Sequence, residues 1–124
     1  MTIYQTKLQE LEQRMINFSV EIVKLCGANR DNRLLKPVFD QLIRSATSIG
    51  ANYAEAINAS SKTDFKNKIY LAKKEAAETR YWLRVLAELV PKQSVATLQQ
   101  EALELNLILQ KIISTMKNEK ASES

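Results

Sequence analysis

Along four stretches of this chain apolar residues return at alternating steps of three and four, the period of an amphipathic helix. The first line is Leu8, Leu11, Met15, Phe18, Ile22 and Leu25, which predicts a helix over about residues 3–26. The second is Phe39, Leu42, Ala46, Ile49, Tyr53 and Ala56, predicting a helix over about 37–59. The third is Phe65, Ile69, Ala72, Ala76, Thr79, Leu83, Leu86 and Val90, over about 63–90. The fourth is Val95, Leu98, Ala102, Leu105, Leu109, Ile112 and Met116, over about 94–117.

The joints carry stop and start signals. Gly27 and the polar run behind it end the first helix, and Pro37 suits the first turn of the second, where its missing N–H is not needed. Ser61-Lys62-Thr63-Asp64 resembles a capping box with Asp in place of Glu. Pro91 closes the third helix. Gly50, inside the second helix, costs about 1 kcal/mol against Ala, and close approach of another backbone is the simplest reason for it. No stretch sustains the period-two alternation of a strand. The expected fold is all-α, an antiparallel up-down-up-down four-helix bundle over 1–117, with a frayed polar tail over 118–124.

Beside the apolar line of the second helix runs a parallel row of Ser45, Ser48, Asn52 and Glu55. These groups suit a polar seam against another helix as well as they suit an exposed flank. The third helix carries two further features. At about 100° per residue, Lys62, Lys66, Lys73, Arg80 and Arg84 fall within about 40° of one another. Arg44 and Lys74 are placed to widen that stripe. Such a stripe is the electrostatic footprint of a nucleic-acid binder, and an ordinary solvated face looks the same from sequence. Tyr70 and Tyr81 lie near its edge, as base-stacking rings or as partly buried side chains.

On the other side of the third helix, Leu71, Trp82 and Leu89 carry the apolar arc past what a bundle helix needs, about three positions in seven. That excess points to an interface with another subunit. Glu75 and Glu78 lie inside the arc and need partners, because a buried unpaired carboxylate is costly. Arg44, Ser48, Asn52 and Lys68 are the candidates.

Charge sharpens this picture. The net charge is +4, but residues 24–84 carry +6 and each end carries −1, so the cationic character belongs to the middle of the chain. A polyanion partner is one explanation. No window is apolar enough to span a bilayer, so no membrane role is expected. The N-terminus lacks the apolar core of a signal peptide, and the lone Cys26 has no disulfide partner, which suits the cytoplasm. With no histidine in the chain, His-based acid–base, triad and metal chemistry are excluded. A single cysteine makes no zinc site and both glycines are isolated, so no phosphate loop is present. Glu55, Glu75 and Glu78 remain as a carboxylate set for Mg²⁺ or a di-metal centre. The bundle precedent for such a centre pairs Glu with His, which is missing here. No metal, cofactor or enzymatic activity is therefore expected.

The run from Arg44 to Ala56, RSATSIGANYAEA, together with Asp64-Phe65, Lys74-Glu75-Ala76-Ala77-Glu78-Thr79 and Tyr81-Trp82-Leu83, resembles the bacterial four helix bundle proteins encoded in intervening sequences of 23S rRNA genes. The resemblance covers essentially the whole chain. More distantly the chain is similar to the accessory variability protein of diversity-generating retroelements. The resemblance implies a four-helix bundle assembling as a ring, typically a pentamer, and no catalytic residues. It implies a polar network, within or between bundles, at Ser48, Asn52, Glu55, Glu75 and Glu78. For the retroelement relative it implies nucleic acid and a reverse transcriptase as partners. Many relatives have Gly where Ala56 stands, which favours a second helix continuing to Ala59. The expected function is a non-enzymatic, self-assembling binder of RNA or DNA without strong sequence preference. The alternative is an oligomeric scaffold whose basic stripe meets an acidic protein.

Overall fold

A computed structural model describes residues 2–123, so Met1 and Ser124, the outer ends of the expected bundle and tail, lie outside the described residues. The order is α1 (Ile3–Ala28), α2 (Lys36–Ile57), α3 (Lys62–Ala87) and α4 (Ala96–Glu123), with single 3-10 turns at Arg33–Leu35 and Lys92–Ser94 leading into α2 and α4. No strand occurs among the described residues. Among the described residues no helix is long and apolar enough to cross a membrane.

Local chemistry sets the ends. Thr2 and Gln5 form a complete capping box at the start of α1. At α3 the Ser61 hydroxyl accepts from the Asp64 N–H at 3.0 Å, which is the forward half of such a box. Helix α2 stops at Ile57, two residues before the expected Ala59. There the Asn58 side chain donates to the Ala54 carbonyl at 2.8 Å and takes over an end carbonyl that the helix no longer serves. Helix α3 stops at Ala87 rather than Val90, where the N–H groups of Glu88 and Leu89 bond only three residues back, to the Val85 and Leu86 carbonyls, and Pro91 has no N–H to carry the ladder on. The largest difference is α4, which runs on to Glu123 instead of fraying after Lys117. The segment Asn118–Glu123 contains no Gly or Pro, and its Glu, Lys and Ala are good helix formers, so propensity outweighs polarity there.

One core joins all four helices. It is built from Met15, Phe18 and Ile22 of α1, Leu42, Ile49 and Tyr53 of α2, Ile69, Leu83 and Leu86 of α3, and Leu105, Leu109 and Ile113 of α4, among others. Each large aliphatic side chain fully buried here contributes about 1.5–3 kcal/mol. Gly50 has the expected cause: a Cβ there would lie 3.2 Å from the Met15 Cβ, so α1 passes directly over it. Nearby, the Tyr53 hydroxyl donates to the Leu8 carbonyl at 3.3 Å. Between α2 and α3, Ser45 faces Thr79 and Glu55 faces Lys68, so positions fall along one helix as they rise along the other. The same holds for Leu8 with Tyr53 and Met15 with Gly50 on α1 and α2.

Candidate nucleic-acid interface on the flanks of α3

Helix α3 packs between α2 and α4 and presents a different chemistry to each. On the α2 side, Arg44 pairs with Glu75 at 3.3 Å and more closely with Glu78. The Trp82 indole N–H donates to the same Glu78 carboxylate at 3.3 Å. Lys68 pairs with Glu55 at 2.8 Å further along. Inside this line the buried Thr79 hydroxyl donates to Ser45 Oγ at 3.0 Å, which in turn donates to the Leu42 carbonyl at 3.3 Å. The hydrogen bond that Arg44 donates to Glu78, helped by the charge of Glu75, raises the Arg44 pKa above its ordinary value, and the hydrogen bond to Glu55 does the same for Lys68. Arg44 is about half exposed, and ion pairs of that kind are each worth about 1 kcal/mol or less.

Two sequence expectations change here. Arg44 does not widen the basic stripe: it lies across α3 from that stripe and is held by two carboxylates. Ser48 and Asn52 do not reach α3 either. The Ser48 hydroxyl donates to the Arg44 carbonyl at 2.6 Å and the Asn52 amide to the Ser48 carbonyl at 2.8 Å, so both bond their own helix one turn back. The polar contacts that cross from α2 to α3 are Arg44 with Glu75 and Glu78, Lys68 with Glu55, and Ser45 with Thr79.

On its outer and α4 side, α3 displays its cations. Lys62, Lys74, Arg80 and Arg84 are exposed, and Lys66 and Lys73 are half-buried. Among the described residues none of the six forms an ion pair. Arg80 donates to the Asn106 side-chain carbonyl of α4 at 2.9 Å, and the Lys66 ammonium stands 5.9 Å from the centre of the Tyr70 ring. Neighbouring carboxylates are turned elsewhere: Glu75 and Glu78 to α2, and Glu101 and Glu104 of α4 to Arg14 of α1, at 2.6 and 3.3 Å. Glu88 is the acid that does stand near the end of the row, in a surface groove with Arg84 and Lys92.

The apolar residues divide. Leu71 is 42% exposed and Leu89, in the turn beyond α3, is 53% exposed. Trp82 is half-buried against the core, with the exposed Tyr81 ring set edge-on to it at 5.0 Å. A second exposed row went unread in the sequence. Ile16, Val20 and Val23 lie four and three residues apart on the outside of α1, each nearly half exposed. Their spacing is the signal in the sequence, a second apolar line on α1 beside the one from Leu8 to Leu25. The Arg14 to Glu101 bridge between α1 and α4 was also missed, since nothing in the pattern of either helix pairs those positions.

Glu55, Glu75 and Glu78 do not converge on a metal. Lys68 holds the first and Arg44 the others, and no group of three metal-ligating side chains is close enough among the described residues. Cys26 is buried; that burial and the charge of Asp40 push its thiol up to about 11.

These features define an all-α, four-helix protein with one cationic helix flank. A sequence profile of the 23S rRNA-intervening sequence proteins matches residues 7–111, and the chain belongs to that family. It is also similar to a crystal structure described as a protein with unknown function from the S23 ribosomal protein family of Bacteroides thetaiotaomicron. The two are 36% identical, with a TM-score of 0.77, over 83% of this chain and 97% of the other. Comparison with curated proteins gave no match.

Proposed function

We propose that this protein is a non-enzymatic, self-assembling four-helix bundle that binds RNA or DNA through Lys62, Lys66, Lys73, Lys74, Arg80 and Arg84. The observation that carries the reading is the segregation of charge on α3. Six cations share its outer and α4 side without an ion-pair partner, while the carboxylates of the same helix face α2. Cations left free in this way are available to neutralise phosphates and release counterions. The contact order of the helix pairs supports an up-down-up-down antiparallel bundle. A single buried thiol suits a reducing compartment such as the cytoplasm.

Self-association rests on two unlike apolar surfaces, Leu71, Trp82 and Leu89 on one side and Ile16, Val20 and Val23 on the other. Unlike surfaces favour head-to-tail contact, and such contacts close into rings when the rotation allows. A pentamer is the ring size that the sequence resemblance implies. The same exposed leucines favour a second reading, a scaffold for another protein such as a reverse transcriptase.

Nuclease-treated protein tests the choice by mobility shift on a mixed RNA and DNA panel. Binding is expected for the wild type and weakening by about tenfold or more for the combined Lys66→Glu, Lys73→Glu and Arg80→Glu variant, with helical circular dichroism unchanged. Equal binding by that variant would remove the assignment and leave the scaffold.

A further inference from the structure

Two parallel rows run along the outside of α3. One is cationic: Lys66, Lys73, Arg80 and Arg84. The other is aromatic: Tyr70 and Tyr81, 36% and 57% exposed. Eleven residues separate the tyrosines, which places them within about 20° of the same line and about 16 Å apart along the helix. The aromatic row lies about 60° around the helix from the cations. The exposed Ala77 and Lys74 stand between the rings, the first small and the second a further cation beside the strip joining them. Each ring has one contact on its own helix. Tyr81 is braced edge-on by Trp82 at 5.0 Å, and Tyr70 by the Lys66 ammonium at 5.9 Å.

From this arrangement we infer that the α3 face takes single-stranded nucleic acid in preference to duplex, its backbone on the cation row and unpaired bases stacked on Tyr70 and Tyr81. The inference rests on the proposed nucleic-acid role and narrows it. A duplex keeps its bases stacked inside and offers α3 only phosphates, so it engages the cation row alone. A single strand uses both rows, and every base has a face to stack, which gives affinity without sequence preference. The span between the rings holds about five nucleotides or fewer at a rise of about 3.4 Å per nucleotide.

Fluorescence anisotropy tests this with three probes at one salt concentration: labelled oligothymidine, a duplex of the same length, and heparin as a polyanion without bases. The single strand is expected to bind about tenfold or more tighter than the duplex. Tyr70→Leu and Tyr81→Leu are each expected to weaken single-strand binding by about tenfold. Duplex and heparin binding should change by less than about twofold, since charge is untouched. Tyr70→Phe and Tyr81→Phe should retain binding, which separates stacking from a folding defect. Trp82 emission should respond to oligothymidine and not to heparin. Duplex binding as tight as single-strand binding, or leucine variants that bind oligothymidine normally, would overturn the inference while leaving the basic face as a nucleic-acid site. No binding to any of the three would remove both.

Discussion

Gly27 and Gly50 both sit inside helices, in opposite circumstances. Nothing lies within 4 Å of a Cβ built on Gly27, whereas one on Gly50 meets Met15. Gly27→Ala is therefore expected to stabilise the protein by about 0.5–1 kcal/mol through helix propensity. Gly50→Leu should cost about 1–3 kcal/mol by forcing α1 outward. Urea midpoints of the two variants check both signs. Cys26 gives a pH dependence. Its thiol ordinarily titrates near 9.0 and is pushed up to about 11 by burial and by Asp40. The folded state thus holds the proton longer than the unfolded chain, and its stabilising contribution is complete below about pH 9 and lost as pH rises toward 11. Tyr53, pushed up to about 12 by burial, extends the loss. Cys26→Ala should flatten the first part of this alkaline limb, and iodoacetamide should label native Cys26 far more slowly than urea-unfolded protein. A native rate equal to the unfolded one would contradict the burial. At this scale the six residues of the α2 apolar line were all legible and all are buried, because they sit on a single helical period. Between the adjacent Ile112 and Ile113 of α4, periodicity chose the first and the structure buries the second more completely. Two neighbouring isoleucines are chemically identical, and only packing against the other helices separates them.

At the level of elements, α3 shows why a helical wheel reads charge better than contact. The angle between its cations and its glutamates is a property of one helix, so the separation of Lys66, Lys73 and Arg80 from Glu75 and Glu78 was visible in sequence. Which flank meets α2 is a property of two helices, so the sequence offers Arg44 both to the stripe and to Glu75 and Glu78, and the structure gives it to the glutamates. Ser48 and Asn52 illustrate a different limit. Their spacing announced a polar row, yet nothing in a pattern decides whether a short polar side chain reaches across or returns to its own carbonyls. The extension of α4 to Glu123 shows local propensity prevailing over the polarity that points to fraying. The outer row on α1 was written in the sequence as plainly as any core line. A helix with two apolar rows has one more than burial within its own fold requires.

For the whole molecule, that surplus becomes a statement about assembly. Light scattering is expected to give a mass several times the 14.1 kDa of the chain. Leu71→Asp with Leu89→Asp, or Ile16→Asp with Val20→Asp, should reduce it toward a single copy; a wild type already at 14.1 kDa would remove the assembly claim. Assembly would also multiply the α3 face, so that weak contacts from each copy add on one long strand. The central claim is that free cations on α3 meet phosphates, and the dependence of oligonucleotide affinity on salt tests it most directly. With six cations available, a logarithmic slope of about −3 to −4 is expected per single-strand site. The slope should be roughly halved when Lys66, Lys73 and Arg80 are reversed to glutamate. A slope near zero, or one the reversal leaves unchanged, would contradict the account.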